Sequence, residues 1–203
     1  MQKGQLHPAA AVSKNLLAKG LFSLMENKPF TDITVMELCD AAQVSRRTFY
    51  RHFDQIEQVA AYHTKGVIDS FVAAMKEQEK QPYEAVIEAY FVFWKSHAAL
   101  LTLLNQNNLI FVIFTPYLRS LSELTWLFPP HHGIGSDQEE YFCTLAYHSG
   151  GLWSLLTYWI MNDCRLSEQS LAKTVLKNNY AGSGRPTPDS YKSGKRNKPH
   201  DSR

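Results

Sequence analysis

Residues 33–53 read Ile33-Thr34-Val35-Met36-Glu37-Leu38-Cys39-Asp40-Ala41-Ala42-Gln43-Val44-Ser45-Arg46-Arg47-Thr48-Phe49-Tyr50-Arg51-His52-Phe53. Thr34 and Glu37 stand at capping-box spacing. The Thr hydroxyl can accept the Glu37 amide, and the Glu37 carboxylate can reach back to the Thr34 amide. That opens a helix whose apolar residues, Val35, Leu38, Cys39 and Ala42, recur on one side. Gln43-Val44-Ser45 breaks the pattern. Ser45 is a second N-cap, for a short helix over 46–52 that Phe49 and Phe53 anchor. Two short helices joined by a three-residue turn make a helix-turn-helix.

The second helix of such a unit lies in a DNA major groove with its N-terminal residues at the base edges. Arg46 and Arg47 stand at that end, and a guanidinium can bond guanine O6 and N7 in bidentate fashion. Thr48, Tyr50, Arg51 and His52 can reach phosphates or bases. The start of the preceding helix, at Thr34, offers N–H donors and a hydroxyl to a phosphate. With Ser45, these eight residues are the candidate DNA contacts. The same spacing also fits a three-helix unit whose arginines form only a solvated face. Leu38, Val44, Phe49 and Phe53 are core on either reading.

Outward from this segment the apolar periodicity is helical almost throughout. Val12, Leu16, Leu17, Leu21, Leu24 and Met25 predict a helix over 12–27, stopped by Pro29. Asp54-Gln55-Ile56-Glu57 repeats the capping-box pattern and starts a longer helix to about Glu79. Pro82 sets off the body. Helices are expected over 83–97, 98–107, 109–127 with a kink at Pro116, and 137–162, and from Ser167 to Tyr180. Residues 129–136 read as a loop. Strand signals are nearly absent. The expected fold is all-α: a helix-turn-helix three-helix domain at 1–60, a helical domain at 61–180, and a polar, Gly-, Pro- and Lys/Arg-rich tail at 181–203 that cannot bury enough surface to order itself.

The 203 residues carry 21 Lys+Arg against 19 Asp+Glu, and the division matters more than the sum. The head, to residue 65, is mildly basic, the body to residue 180 is acidic, and the tail is basic, which suggests separate tasks. The basic tail could add salt-sensitive, non-specific DNA contact. Three widely spaced cysteines, Cys39, Cys143 and Cys164, do not make a disulfide framework and fit reduced thiols. No run approaches the roughly 18–20 apolar residues that span a bilayer. The N-terminus lacks the apolar region of a secretory signal. A cytoplasmic protein with no membrane partner is expected.

The segment 33–53 resembles the DNA-binding signature of the tetracycline-repressor (TetR) family. Its most specific part is Val44-Ser45-Arg46-Arg47-Thr48-Phe49-Tyr50-Arg51-His52-Phe53, and the likeness in motif and spacing covers 12–62. Tyr147-His148-Ser149-Gly150-Gly151-Leu152-Trp153-Ser154-Leu155-Leu156-Thr157-Tyr158-Trp159 is similar to the penultimate helix of one branch of that family. Two positions depart from the pattern. Gln43 stands where many members carry glycine, and Asp54-Gln55-Ile56-Glu57 lacks the phosphate-binding lysine common at the start of the fourth helix. The resemblance implies a ligand-responsive repressor that binds double-stranded DNA at a pseudo-palindromic operator as a homodimer.

It also implies an effector pocket in the aromatic body, which would suit a hydrophobic or aromatic small molecule. Trp94, His97, Tyr117 and His148 are the candidate lining residues, and the plainer reading of each taken alone is ordinary core. Gly150-Gly151 lies inside a strong helical pattern at a cost of roughly 1 kcal/mol relative to alanine, a cost that close approach of another helix would justify. In the family the last two helices pair with their counterparts. Ser149, Leu152, Trp153, Leu156, Trp159 and Ile160 are the candidate interface residues. His131-His132 has no cysteine or carboxylate at ligand spacing, so no metal and no cofactor is expected. No phosphate loop, nucleophile elbow or catalytic carboxylate pair is present, and no enzyme is expected. The competing reading is a helical adaptor or small-molecule-binding protein that keeps the fold without reading DNA.

Overall fold

The structure, a computed structural model, describes residues 8–124 and 138–181. Among these residues there are nine α-helices, two 3-10 turns and no strand. The expected loop at 129–136 with His131-His132, the tail beyond 181 and residues 1–7 lie outside the described residues.

Helix α1 (Pro8–Met25) crosses α2 (Val35–Ala42) and α4 (Ile56–Lys76), with α3 (Arg46–His52) between them in sequence. Leu17, Ala18, Leu21 and Met25 face inward, whereas Val12 and Leu16 are 57% and 42% exposed. The helix forms, but these first two of the apolar residues that predict it lie off its buried side. At about 100° per residue, Val12 and Leu16 fall on the side opposite Leu21 and Met25, where no helix packs. Gly20 allows the α1–α2 crossing. A Cβ there would stand 3.1 Å from the Ala42 backbone nitrogen and 3.2 Å from its Cβ. Close approach of two backbones is a common reason for a mid-helix glycine.

Two apolar clusters divide along α4. Val59 and Ala60 belong to the head cluster with Leu17, Leu21, Phe30, Leu38, Phe49 and Phe53. Val67, Ile68, Phe71 and Met75 belong to the body cluster. α4 begins later than the sequence suggests, and Glu57 closes no capping box. Gln55 is the N-cap and makes no side-chain bond. Gln58, now the third helical residue, accepts the Asp54 N–H through Oε1 at 2.7 Å.

The body is built from α5 (Tyr83–Ser96), α6 (Ala98–Gln106), α7 (Ile110–Ser120), α8 (Gln138–Met161) and α9 (Glu168–Ala181). α5 packs chiefly on α9, and α7 on α4. α7 ends at Ser120 in a 3-10 turn, Leu121–Glu123, short of the expected 127. Pro116 sits inside α7 and has no N–H to give the carbonyl of Val112, four residues back. The buried Thr64 hydroxyl of α4 lies 3.2 Å from that carbonyl and shares its one proton between it and the Ala61 carbonyl at 3.1 Å. The proline gap is thus filled from the neighbouring helix. The Lys95–Glu168 ion pair, 2.7 Å, ties α5 to α9. Trp159 Nε1 donates to the Leu166 carbonyl at 2.9 Å across the α8–α9 turn. No helix among the described residues is long and apolar enough to cross a membrane.

Candidate nucleic-acid interface

α2 starts as the sequence requires. The Thr34 hydroxyl accepts the Glu37 amide at 3.2 Å, and Glu37 Oε2 accepts the Thr34 amide at 2.9 Å. The Thr34 hydroxyl also donates to Glu37 Oε2 at 2.8 Å, and Lys28 holds the other carboxylate oxygen at 2.9 Å. The Lys28 hydrogen bond first, then those from the Thr34 backbone and hydroxyl, lower the Glu37 pKa to about 2. The amide and hydroxyl expected to greet a phosphate are therefore occupied by a carboxylate from the same helix.

The turn places Gln43 in the left-handed region at φ 53°, ψ 41°. Its N–H and that of Val44 return to the carbonyls of Asp40 and Cys39, closing α2. This is the position where glycine is free and any other residue is strained. Ser45 then caps α3. Its hydroxyl accepts the Thr48 amide at 3.1 Å and lies 3.0 Å from the Thr48 hydroxyl. Ser45 and Thr48 spend these groups on each other and so hold the helix start.

Phe49 is fully buried, packed edge-on to Tyr50 and against Phe53. Burying such a ring is worth roughly 1.5–3 kcal/mol, and it fixes how α3 is rotated about its axis. That rotation leaves Arg46, Arg47, Tyr50 and Arg51 exposed on one face. His52 differs. It is half-buried, and its Nε2 is shielded from solvent without a partner. Burial, then the charges of Arg51 and Lys14, push its pKa down. His52 is thus a neutral neighbour of the cationic face. Lys14 of α1 lies 5.7 Å from the Phe53 ring and 5.4 Å from that of Tyr62, stitching α1 to the end of α3 and to α4.

Of the four expected pocket residues, three lie together and one does not. Trp94 and Tyr117 are fully buried, with ring centroids 6.1 Å apart. His97 lies 6.3 Å from Trp94 and stacks on Phe93 at 4.6 Å. His148 instead lines a groove of about 740 Å³ between α8 and α9, with Tyr83, Tyr147, Gly151, Leu155 and Val175. Sequence reading missed Tyr90 and Phe71, which complete the buried aromatic cluster around Trp94 and Tyr117.

All six expected interface residues, Ser149, Leu152, Trp153, Leu156, Trp159 and Ile160, are buried in the chain's own core. They face α5, α6 and α7 rather than a partner, which corrects their assignment. α8 is apolar nearly all round, so its periodicity does not choose a face. The outward side carries Tyr147, Gly151, Ser154 and Tyr158, the two tyrosines 79% and 68% exposed. A Cβ at Gly150 or Gly151 would meet nothing within 4 Å. Among the described residues no three His, Cys, Asp or Glu side chains are grouped to hold a metal.

No family model matches the chain, and no curated protein matches it. Among solved structures it is similar to the fatty acid degradation regulator FadR from Bacillus halodurans. The TM-score is 0.60 at 19% identity, over 85% of this chain and 94% of that one. The likeness establishes a shared fold: an all-helical chain with a helix-turn-helix head and a helical C-terminal domain.

Proposed function

We propose that this chain is a sequence-specific, DNA-binding transcriptional regulator of the tetracycline-repressor type, acting as a ligand-responsive repressor and a homodimer. The observation that carries the proposal is the outward face of α3. Arg46, Arg47, Tyr50 and Arg51 share it, held by the Ser45 cap and the Phe49 anchor. In a major groove the two N-terminal arginines meet base edges, while Tyr50 and Arg51 meet phosphates. Ser45 and Thr48 act through the helix start, and Thr34 contributes only if Glu37 gives way. Residues 1–60 are the DNA-binding domain and 61–180 the effector and dimerisation domain. The neighbour's description as a fatty acid degradation regulator supports an apolar effector.

The dimer face is the outward side of α8, with Tyr147, Gly151, Ser154 and Tyr158 at alternating spacings of four and three, the spacing of a helix-pairing seam. α4 transmits the effector signal because it belongs to both clusters. An effector acts by binding more tightly to a body state whose two heads no longer match the groove spacing. The protein has no catalytic role on this reading.

Selection of random duplex DNA on the purified chain tests the proposal. Recovery of an inverted repeat supports it, and the repeat's spacing gives the head-to-head distance. Retention without a motif, lost at moderate salt, would leave only a basic surface and favour the adaptor reading.

A further inference from the structure

A groove of about 430 Å³ runs along the junction of head and body. Two short faces line it. Phe22 of α1 and Glu26 stand one turn apart, and Ala99, Leu103 and Gln106 recur at four and three residues along α6. His63 of α4 closes the groove, its ring 4.6 Å from that of Phe22. Phe22 packs against both apolar clusters, Leu103 against the head cluster, and Leu100, which also lines the groove, against the body cluster. A molecule seated here therefore touches the head, the body and the helix that links them. Among the described residues, none of α8 or α9 lines the groove, and neither does Trp94 or Tyr117. It lies apart from the proposed dimer face and from the aromatic core.

One end of the groove is electronegative. Glu26 directly follows α1, and Gln106 is the last residue of α6. Both stand at helix C-terminal ends, where carbonyls without helical partners favour a cation. The two ends lie close together, since Asn107 accepts the Phe30 N–H at 2.8 Å. Glu26 has no ion-pair partner among the described residues, and Lys28 is held by Glu37 at 2.9 Å. The lining includes no lysine or arginine. Burial, then the charge of His97, pushes the His63 pKa down, so the imidazole is neutral at neutral pH and repels no cation. One to two turns back along the helices, Phe22, Ala99 and Leu100 offer an apolar wall.

We infer that this groove is a binding site for a small organic cation. Its ammonium group pairs with Glu26 and donates to Gln106, and a flat apolar group lies on Phe22 between α1 and α6. An anion is disfavoured, because nothing in the lining offsets its repulsion from Glu26. Held by three elements at once, the ligand braces the head against the body. The site goes beyond the regulator reading above, and binding to it does not depend on that reading.

The test is a calorimetric titration of the full-length chain at neutral pH and low salt, with no DNA present. The probes are 2-(1-naphthyl)ethylammonium, the neutral 2-(1-naphthyl)ethanol and the anion 3-(1-naphthyl)propanoate. The ammonium should bind about five-fold more tightly than the alcohol, the worth of one partly exposed charge pair, and the anion more weakly than either. Glu26 is exposed, so Glu26→Gln should keep the fold and remove that preference without changing the alcohol's affinity. Ala99→Phe, also at an exposed position, fills the groove and should abolish binding of both. Glu84→Gln, an exposed carboxylate off the groove, should change nothing. Equal affinity for ammonium and alcohol, tighter binding of the anion, or no binding of the ammonium at millimolar concentration would overturn the inference. So would a preference that survives Glu26→Gln or is lost equally in Glu84→Gln. Because the titration needs neither an operator nor any residue of α3, its failure leaves the DNA-binding reading intact, and failure to recover an inverted repeat leaves the groove's ligand intact.

Discussion

The Asn107 side-chain oxygen accepts the backbone N–H of Phe30 at 2.8 Å, joining the corner between α6 and α7 to the entrance of the helix-turn-helix 77 residues earlier. Its amide nitrogen donates to the Leu103 carbonyl at 2.9 Å, which holds the side chain in place. Phe30 is itself buried in the head cluster, so the bond ties body backbone to head core. Asn107→Ala strands a partly buried N–H. It should lower the unfolding free energy by about 1–3 kcal/mol in urea titration. On the proposed mechanism it should also weaken the effector's influence on operator affinity while leaving binding without effector nearly unchanged. A variant that loses stability yet keeps full effector response would remove this bond from the signalling route.

The exposed arginines of α3 should separate by role. Arg46→Ala or Arg47→Ala should cost about 1–3 kcal/mol on the selected operator and relax preference at one base position. Arg51→Ala should weaken specific and random DNA alike and reduce the salt slope by about one. Binding assays on both duplexes across a salt series distinguish the outcomes. Equal losses on both duplexes for Arg46 and Arg47 would end their assignment to bases. The half-buried, neutral His52 should add no charge to the salt slope.

The helix-turn-helix was legible because its signals are local. Thr34-x-x-Glu37 and Ser45-x-x-Thr48 close within three residues, and the structure forms both caps. Four features were not, because each depends on packing that one-dimensional spacing does not show. The Thr34 donors were expected to be free, but Lys28, nine residues upstream, locks Glu37 onto them. Val12 and Leu16 look like core until the one-sided packing of α1 is seen. The α8 face was misassigned because Tyr147, Leu152, Trp153 and Tyr158 spread apolar surface around the whole helix. Pro116 was read as a kink, and its repair by Thr64 joins positions 48 residues from Val112.

Acid should loosen the head through Glu37. Its pKa falls from an ordinary 4.5 to about 2 on folding. A depressed carboxylate contributes stability above its unfolded pKa and loses it as pH falls through the folded one. The melting temperature should therefore drop as pH is lowered from about 4.5 toward 2, in scanning calorimetry. Glu37→Gln should flatten that part of the profile and lower the melting temperature at neutral pH. An unchanged profile would show that other carboxylates govern the acid limb.

The turn carries a strain that one substitution can relieve. Gln43 holds φ 53° at the end of α2, and glycine adopts that conformation without the Cβ clash. Glycine also gains freedom in the unfolded chain, so the benefit is partial. Gln43→Gly should stabilise the protein by about 0.5–1 kcal/mol in denaturant titration, with DNA affinity unchanged. A destabilised variant would mean that the Gln43 side chain supports the turn in a way its exposed position does not suggest.

The outward face of α8 gives the sharpest test of the dimer. Gly151 is exposed, its Cβ position is empty to 4 Å, and it lies between Tyr147 and Tyr158. Within one chain, Gly151→Leu costs no packing and improves helix propensity by roughly 0.5–1 kcal/mol. The folded monomer should therefore keep or raise its melting temperature and helical circular dichroism. In a homodimer paired through this seam, the added side chain stands where two helices approach closely. Sedimentation should then show a shift toward monomer, and operator binding should weaken because two half-sites are no longer engaged together. A chain that stays dimeric with Gly151→Leu would place its interface elsewhere. Loss of helicity without change in assembly would instead assign the glycine to folding of α8.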